Sequence, residues 1–479
     1  VDLCAEAIRI LAIRDTFCYL RECELCCLTV QEGDLVSSFI VEGQNRLSGS
    51  IAVSGNKNEA LPLICAALLT KEPVELLNVP DIGDVRIMLR IAGELGSTIP
   101  AHRGSALTIK TSSITTSELP IKLAGEVRAS VLFASSLLVR TGRAVIPQPG
   151  GDPIGRRRLD THFAVFQALG AKLTVDRLSV KGESARTVYT LEAPKGLKGA
   201  EIYLDEASVT ATENALIAAA GAKGRTIIGN AASEPHVQGL CWFLQKMGVK
   251  IRGIGSNLLT VYGANSFGSV EHVVGSDYIE AASLIGLAAA TRSDITITNV
   301  NPETMRMILF HFDRIGVKVE VIPNKRAIHV SSKQHLKIRK DLGGAIPKIE
   351  DNPWPGFPAD VMSIILVAAT QCEGTCLFHE KMFEARLFFV DKLQGMGAQI
   401  VLCDPHRAVV TGPSPLYGAT IASPDIRAGM AMLIAAMAAE GQSVIHNVEQ
   451  IDRGYHDIDV RLNKLGAKIT RVADRRKRS

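Results

Sequence analysis

Six glycines divide the chain into near-equal lengths. Each closes a helix-like stretch: Leu95-Gly96-Ser97, Leu169-Gly170-Ala171, Met247-Gly248-Val249, Ile315-Gly316-Val317, Met396-Gly397-Ala398 and Leu465-Gly466-Ala467. They recur about every 74 residues, and a fixed period of this kind limits the chain to a repeat architecture. Ahead of each glycine, apolar residues fall on one helical face, as in Val85, Met88, Leu89, Ala92 and Leu95, or Met305, Ile308, Leu309, Phe312 and Ile315. The glycine suits a left-handed C-terminal cap. A short run such as Val317–Val321 or Lys468-Ile469-Thr470 then reads as a strand.

Each repeat carries a second helix of another kind, apolar almost all round: Ala60–Leu69, Ala129–Val139, Ala215–Ala220, Ala281–Ala290, Met362–Ala369 and Met430–Ala439. A helix without a polar face belongs inside a domain. Buried helices wrapped by strands and amphipathic helices predict an α/β fold. It is a two-lobed inside-out α/β barrel of six repeats of about 70 residues, three per lobe, with a cleft between the lobes as the place for a site. The expected division is residues 57–273 in the first lobe, with a mobile loop at 149–160, and 38–56 with 274–472 in the second. Residues 1–37 form a Cys-rich extension outside the fold, and 473–479 a basic tail.

Composition narrows the function. Lys+Arg 53 against Asp+Glu 49 is too balanced for a dedicated nucleic-acid binder. No apolar run is long enough to span a membrane, so a cytoplasmic location is expected. Five cysteines (Cys4, Cys18, Cys23, Cys26, Cys27) crowd the first 27 residues. The Cys23–Cys26 spacing is half a zinc site, but no second pair follows it, and no metal is expected. Cys65, Cys241, Cys372, Cys376 and Cys403 lie in apolar segments and read as buried, reduced thiols.

The residues opening the buried helices are polar. Ser208 and Asp277 read as N-caps. Lys57, Arg128 and Arg427 do not, because a cation at a helix N-terminus opposes the macrodipole. A bound anion resolves that conflict. Further cations stand in loops: Arg156, Arg157 and Arg158 after the glycine-rich Gly150-Gly151-Asp152-Pro153-Ile154-Gly155, then Arg386 and Arg453. Like charges about 4 Å apart repel by roughly 4 kcal/mol at an effective dielectric near 20. A cleft gathering several such cations therefore suits a substrate bearing phosphate and carboxylate.

Seven stretches carry a family resemblance: Ser54–Pro62, Val127-Arg128-Ala129-Ser130, Pro149–Gly155, Phe357-Pro358-Ala359-Asp360, Phe383-Glu384-Ala385-Arg386, Asp425-Ile426-Arg427-Ala428 and Asp452-Arg453-Gly454-Tyr455. In order and spacing they resemble the UDP-N-acetylglucosamine 1-carboxyvinyltransferases, or UDP-GlcNAc enolpyruvyl transferases, over residues 38–472. The sister enzyme 5-enolpyruvylshikimate-3-phosphate synthase is a weaker match. The resemblance implies transfer of the enolpyruvyl group of phosphoenolpyruvate to the 3′-hydroxyl of UDP-N-acetylglucosamine, without a cofactor. The alternative is a paralogue using another nucleotide or a shikimate-type acceptor. A catalytically silent binding protein is disfavoured, because such a protein would shed the mutually repelling cations.

By the same resemblance, Lys57, Arg427 and Arg453 hold phosphoenolpyruvate, and Asn58 assists. Arg128 and Arg157 complete the cationic shell. Asp360 is the base facing the sugar hydroxyl, unless it serves only as the N-cap of a helix beginning at Val361. Arg158, Leu159, Asp160, Thr161, Ser208, Val209 and Met382 match nucleotide-sugar contacts, while Arg386 and Asp425 lie near the reaction centre. Three positions depart from the family pattern. Asp152 replaces the usual loop cysteine, and an ordinary Asp pKa near 3.9 is about 3 units too low for a proton donor at neutral pH. Gly83 and Glu206 stand where the family often has lysines.

Overall fold

A computed structural model describes residues 37–100, 104–151, 154–155, 158–178, 186–322 and 324–473. The expectations for residues 1–36, Asp152, Arg157 and the tail from Asp474 lie outside the described residues, including the cysteine pair at Cys23 and Cys26.

The six apolar segments form the helices at the centre of the molecule. They are α1 (Lys57–Ala67), α2 (Phe133–Thr141, entered through a 3-10 turn at Arg128–Leu132), α3 (Val209–Ala220), α4 (Tyr278–Ala290), α5 (Ala359–Ala369) and α6 (Ile426–Ala438). In α4 every residue is buried, as a helix without a polar face requires. Helices α4, α5 and α6 pack on one another; α2 packs on both α1 and α3. The side chains form two separate cores. One gathers residues between Ala60 and Val274; the other joins Phe39–Val53 to residues from Tyr278 to Ile469.

Among the described residues, six small sheets clothe these helices. Several borrow a strand from a distant part of the chain. Val270–Val273 runs parallel to Val74–Leu77, and Ser48–Ala52 runs parallel to Asp294–Thr298. The first described strand, Ser37–Glu42, lies between Gln442–His446 and Lys468–Ala473, with Ser37 opposite Ala473. These exchanges close each ring of three repeats.

All six repeat glycines have positive φ, between +87° and +109°, so each turn needs the left-handed region that glycine enters without a Cβ clash. Two local expectations are corrected. The run at Val317 begins as a helix cap, with the Val317 amide donating to the Phe312 carbonyl, and the strand itself is Glu320–Ile322. Cys403 is exposed, because it sits on the Gln399–Asp404 edge strand; Cys65, Cys241, Cys372 and Cys376 are buried and free. No helix among the described residues is long and apolar enough to cross a membrane.

Candidate active site

A cavity of about 250 Å³ lies between the two cores. Its wall includes Lys57, Asn58, Arg128, Val209, Asp360, Met382, Arg386, Arg427 and Arg453, and the central helices explain why these converge. Helix α1 begins at Lys57, α5 at Ala359 and α6 at Ile426, so their N-terminal ends carry Lys57, Asp360 and Arg427 to the cavity. Asn56 caps α1 through the amides of Asn58 and Glu59, and Asp425 caps α6 through those of Arg427 and Ala428. Each cap presents the residues just after it to the opening.

The cations are not left to repel one another. Asp84 accepts from Lys57 Nζ at 2.7 Å and from Arg453 Nε at 2.8 Å, joining a lysine of the first core to an arginine of the second. Asp360 accepts from Arg386 Nη2 and, at 3.2 Å, from Arg427 Nε. Burial alone would raise both carboxyls. The adjoining cations outweigh burial and hold each below the usual carboxylate range, so both are ionised. Asp360 keeps 25% of its side chain accessible, whereas Asp84 is buried. An ionised, partly open carboxylate can accept a proton from a hydroxyl presented to it.

Asp360 is not an N-cap. Helix α5 starts one residue earlier, its cap position is Pro358, and the carboxylate turns to the two arginines instead. Those arginines retain hydrogen-bonding capacity: Arg386 Nε and Arg427 Nη1 are buried without a partner among the described residues. Arg386 lies over the Phe383 ring and Arg427 over the Tyr455 ring, which orients both guanidinium planes. Buried donors of this kind suit an anion with several oxygens.

Of the remaining expected residues, Arg158, Leu159, Asp160, Thr161, Ser208 and Asp425 stand outside the cavity wall. Arg158 pairs with Asp160 at 2.8 Å and Thr161 donates to Asp205 at 2.6 Å. Arg128 Nη2 donates to the Arg158 carbonyl, tying this group to the cavity edge. Leu159 is buried in the first core. Ser208 caps α3 through the Ala211 amide, and the neighbouring Val209 does reach the cavity. Gly83 opens the Gly83–Glu94 helix, and a Cβ there would stand 3.5 Å from Arg453 Cγ. Burial and the neighbouring Asp205 raise the Glu206 carboxyl.

Sequence reasoning missed Asp84, Glu213, Glu234 and His236. Asp84 is the second residue of the Gly83–Glu94 helix, and its partner Arg453 lies 369 positions away. Glu213 shares a helix with the apolar run at 215–220, flanked there by Thr212 and Asn214. The two halves also meet through the Ala385 amide, which donates to the Ile154 carbonyl, and through Ser233 Oγ, which donates to the Trp354 carbonyl. Gly155 suits this seam, since its φ of +130° is a conformation that residues with a Cβ rarely adopt.

Known proteins agree with this architecture. The sequence model for EPSP synthase (3-phosphoshikimate 1-carboxyvinyltransferase) matches residues 41–469. The UDP-N-acetylglucosamine 1-carboxyvinyltransferase of Treponema denticola is 52% identical over 431 residues, 90% of this chain and 98% of its own. Its counterpart in Bradyrhizobium diazoefficiens is 53% identical over 439 residues, 91% and 99% of the two chains. Among solved structures, the enolpyruvyl transferase NikO from Streptomyces tendae superposes with a TM-score of 0.79 at 23% identity, over 92% of this chain and all of that one. EPSP synthase from Acinetobacter baumannii gives 0.68 at 18%, over 91% and 100%. The two structures bear on the fold alone, but the two relatives match 90% and 91% of the chain at about half identity. The chain belongs to the EPSP synthase family of enolpyruvyl transferases, and within it to the UDP-N-acetylglucosamine 1-carboxyvinyltransferases.

Proposed function

We propose that this enzyme transfers the enolpyruvyl group of phosphoenolpyruvate to the 3′-hydroxyl of UDP-N-acetylglucosamine and releases phosphate, the first committed step of peptidoglycan precursor synthesis. The observation that carries the reading is the ionised, partly accessible Asp360 set among Lys57, Arg386, Arg427 and Arg453 at one cavity.

The chemistry is addition followed by elimination. Carbon 3 of phosphoenolpyruvate gains a proton, carbon 2 becomes electrophilic, and the sugar oxygen attacks it as Asp360 takes the hydroxyl proton. The tetrahedral intermediate then expels phosphate and loses a proton from the new methyl group. Lys57, Arg427 and Arg453 hold the phosphate and carboxylate, with Asn58 beside them. Arg128 and Arg157 complete the positive shell, which stabilises the charge on the departing phosphate. Arg386 and Asp425 orient the centre: one grips Asp360, the other caps the helix bearing Arg427. Arg158, Leu159, Asp160, Thr161, Ser208, Val209 and Met382 contact the nucleotide sugar, and Asp152 takes the catalytic position that a cysteine holds in most of the family. The reaction takes place in the cytoplasm.

The assay is phosphate release from phosphoenolpyruvate with UDP-N-acetylglucosamine, run beside shikimate 3-phosphate as acceptor and without added metal. Release with the nucleotide sugar alone is the expected result; release only with shikimate 3-phosphate overturns the reading. Fosfomycin is expected to leave the activity intact, because a carboxylate is a poorer nucleophile toward an epoxide than a thiolate. Loss of activity with a covalent adduct at Asp152, seen by mass spectrometry, would refute that expectation.

A further inference from the structure

The cavity has a second wall of opposite character, which the transfer chemistry above does not use. Glu213 on α3 and His236 on the Pro235–Lys246 helix line it, with Glu234 at that helix's N-cap. Glu213 is 1% exposed and His236 is 3% exposed. Glu213 Oε1, Glu234 Oε2 and His236 Nε2 are all buried without a partner among the described residues. Leaving a buried polar atom unpaired costs about 1–3 kcal/mol. Three such atoms around one cavity mark a place where a ligand supplies the missing bonds.

The chemistry of that ligand follows from the charge states. Burial, reinforced by the charge of Glu234, raises the Glu213 carboxyl well above its usual range, which favours the protonated form. Burial lowers His236 to about 4, so its ring is neutral near pH 7. Tyr278 Oη lies 3.4 Å from Nδ1 of that ring and engages one nitrogen. Whichever tautomer the ring adopts, Glu213 and His236 together offer one donor and one acceptor with no net charge. That is the complement of an amide, not of a phosphate. Asp360 is near enough for its charge to act on both His236 and Tyr278. In N-acetylglucosamine the carbon bearing the acetamido group adjoins the carbon bearing the 3-hydroxyl. A sugar that presents this hydroxyl to Asp360 can place its acetamido group at Glu213 and His236, which line the same cavity.

We propose that Glu213 and His236 form the subsite that recognises the 2-acetamido group of the acceptor sugar and sets the preference for N-acetylated acceptors. The proposal rests on the functional reading above, so its test uses binding as well as turnover. UDP-N-acetylglucosamine and UDP-glucose are titrated calorimetrically into the wild type, Glu213→Met, Glu213→Gln and His236→Phe, with thermal unfolding as the control for folding. The wild type is expected to prefer the acetamido sugar by about 100-fold, since a site built to bond a polar group rejects the analogue lacking it. Glu213→Met and His236→Phe each reduce that preference about tenfold, while Glu213→Gln, which keeps a donor and an acceptor, stays within about threefold of wild type. KM for phosphoenolpyruvate stays unchanged in all three. A full preference surviving in Glu213→Met and His236→Phe overturns the subsite, as does a wild type with no preference. A wild type that shows the preference but releases no phosphate overturns the functional reading and leaves the subsite standing. Should Glu213→Met fail to fold, His236→Phe and Glu213→Gln decide by the same readout.

Discussion

Two carboxylates, each held between two cations, do different work. Asp360 is gripped by Arg386 and Arg427, both from the second core, so this triad is assembled whether or not the halves meet. Asp84 is gripped by Lys57 on its own side and by Arg453 across the seam, so this triad exists only when the halves are together. The pairing chemistry is nearly the same, but one arrangement lies within the second half and the other bridges the two halves. Exposure separates them as well: both line the cavity, but the first keeps 25% of its side chain accessible and the second 3%.

Substitution of each should break the comparison in its own way. Asp360→Asn is expected to lower kcat about 1,000-fold, within the range for loss of a general base, with no change in the radius of gyration by small-angle scattering. A kcat within tenfold of wild type would remove Asp360 from the proposed role. Asp84→Asn removes the negative charge that Lys57 and Arg453 share and is expected to cost about 3 kcal/mol in urea unfolding. It should also enlarge the unliganded molecule in scattering; an unchanged radius would mean that Asp84 does not fasten the halves.

Acid sharpens the same distinction. Burial would raise Asp84, but Lys57 and Arg453 hold it low. Its contribution is therefore complete above the unfolded value near 3.9 and fades as pH falls through the lower folded value. Asp277 has the opposite sign. Burial raises it to about 6, with Arg427 pulling the other way, so its carboxyl costs stability increasingly as pH climbs from about 4 to about 6. Asp277→Asn, which keeps an N-cap side chain on α4, should flatten the decline in urea midpoint over that interval. An unchanged slope would remove Asp277 as its source. The smallest effect is expected from Gly83→Ala. The added methyl reaches only ordinary contact with Arg453, and stability should rise by about 0.5 kcal/mol with activity preserved.

The repeat was legible because it rests on local chemistry. A left-handed cap needs glycine, and a buried helix needs apolar residues on every side, so both are visible in a short window of sequence. The cations at the starts of α1 and α6 were legible for the same reason, as conflicts with the helix dipole. Their partners were not. Asp84 and Arg453 are separated by 369 positions in the chain, and no local pattern announces that the two meet. The sequence argument therefore assigned all the charge compensation to a bound anion, when Asp84 and Asp360 already supply part of it. Glu213 was hidden by its surroundings, since an Ala-rich helix reads as core and its one acid is easily passed over.

The placement of Ser37–Glu42 between Gln442–His446 and Lys468–Ala473 has a consequence for biosynthesis. On the ribosome, the first half of the enzyme has all its residues once the nascent chain passes Val274, and it can mature while translation continues. The second half must wait, because its opening strand precedes the first half in the chain while both neighbours of that strand follow it. Until they are made, this early strand has unfilled edges, which are templates for pairing elsewhere.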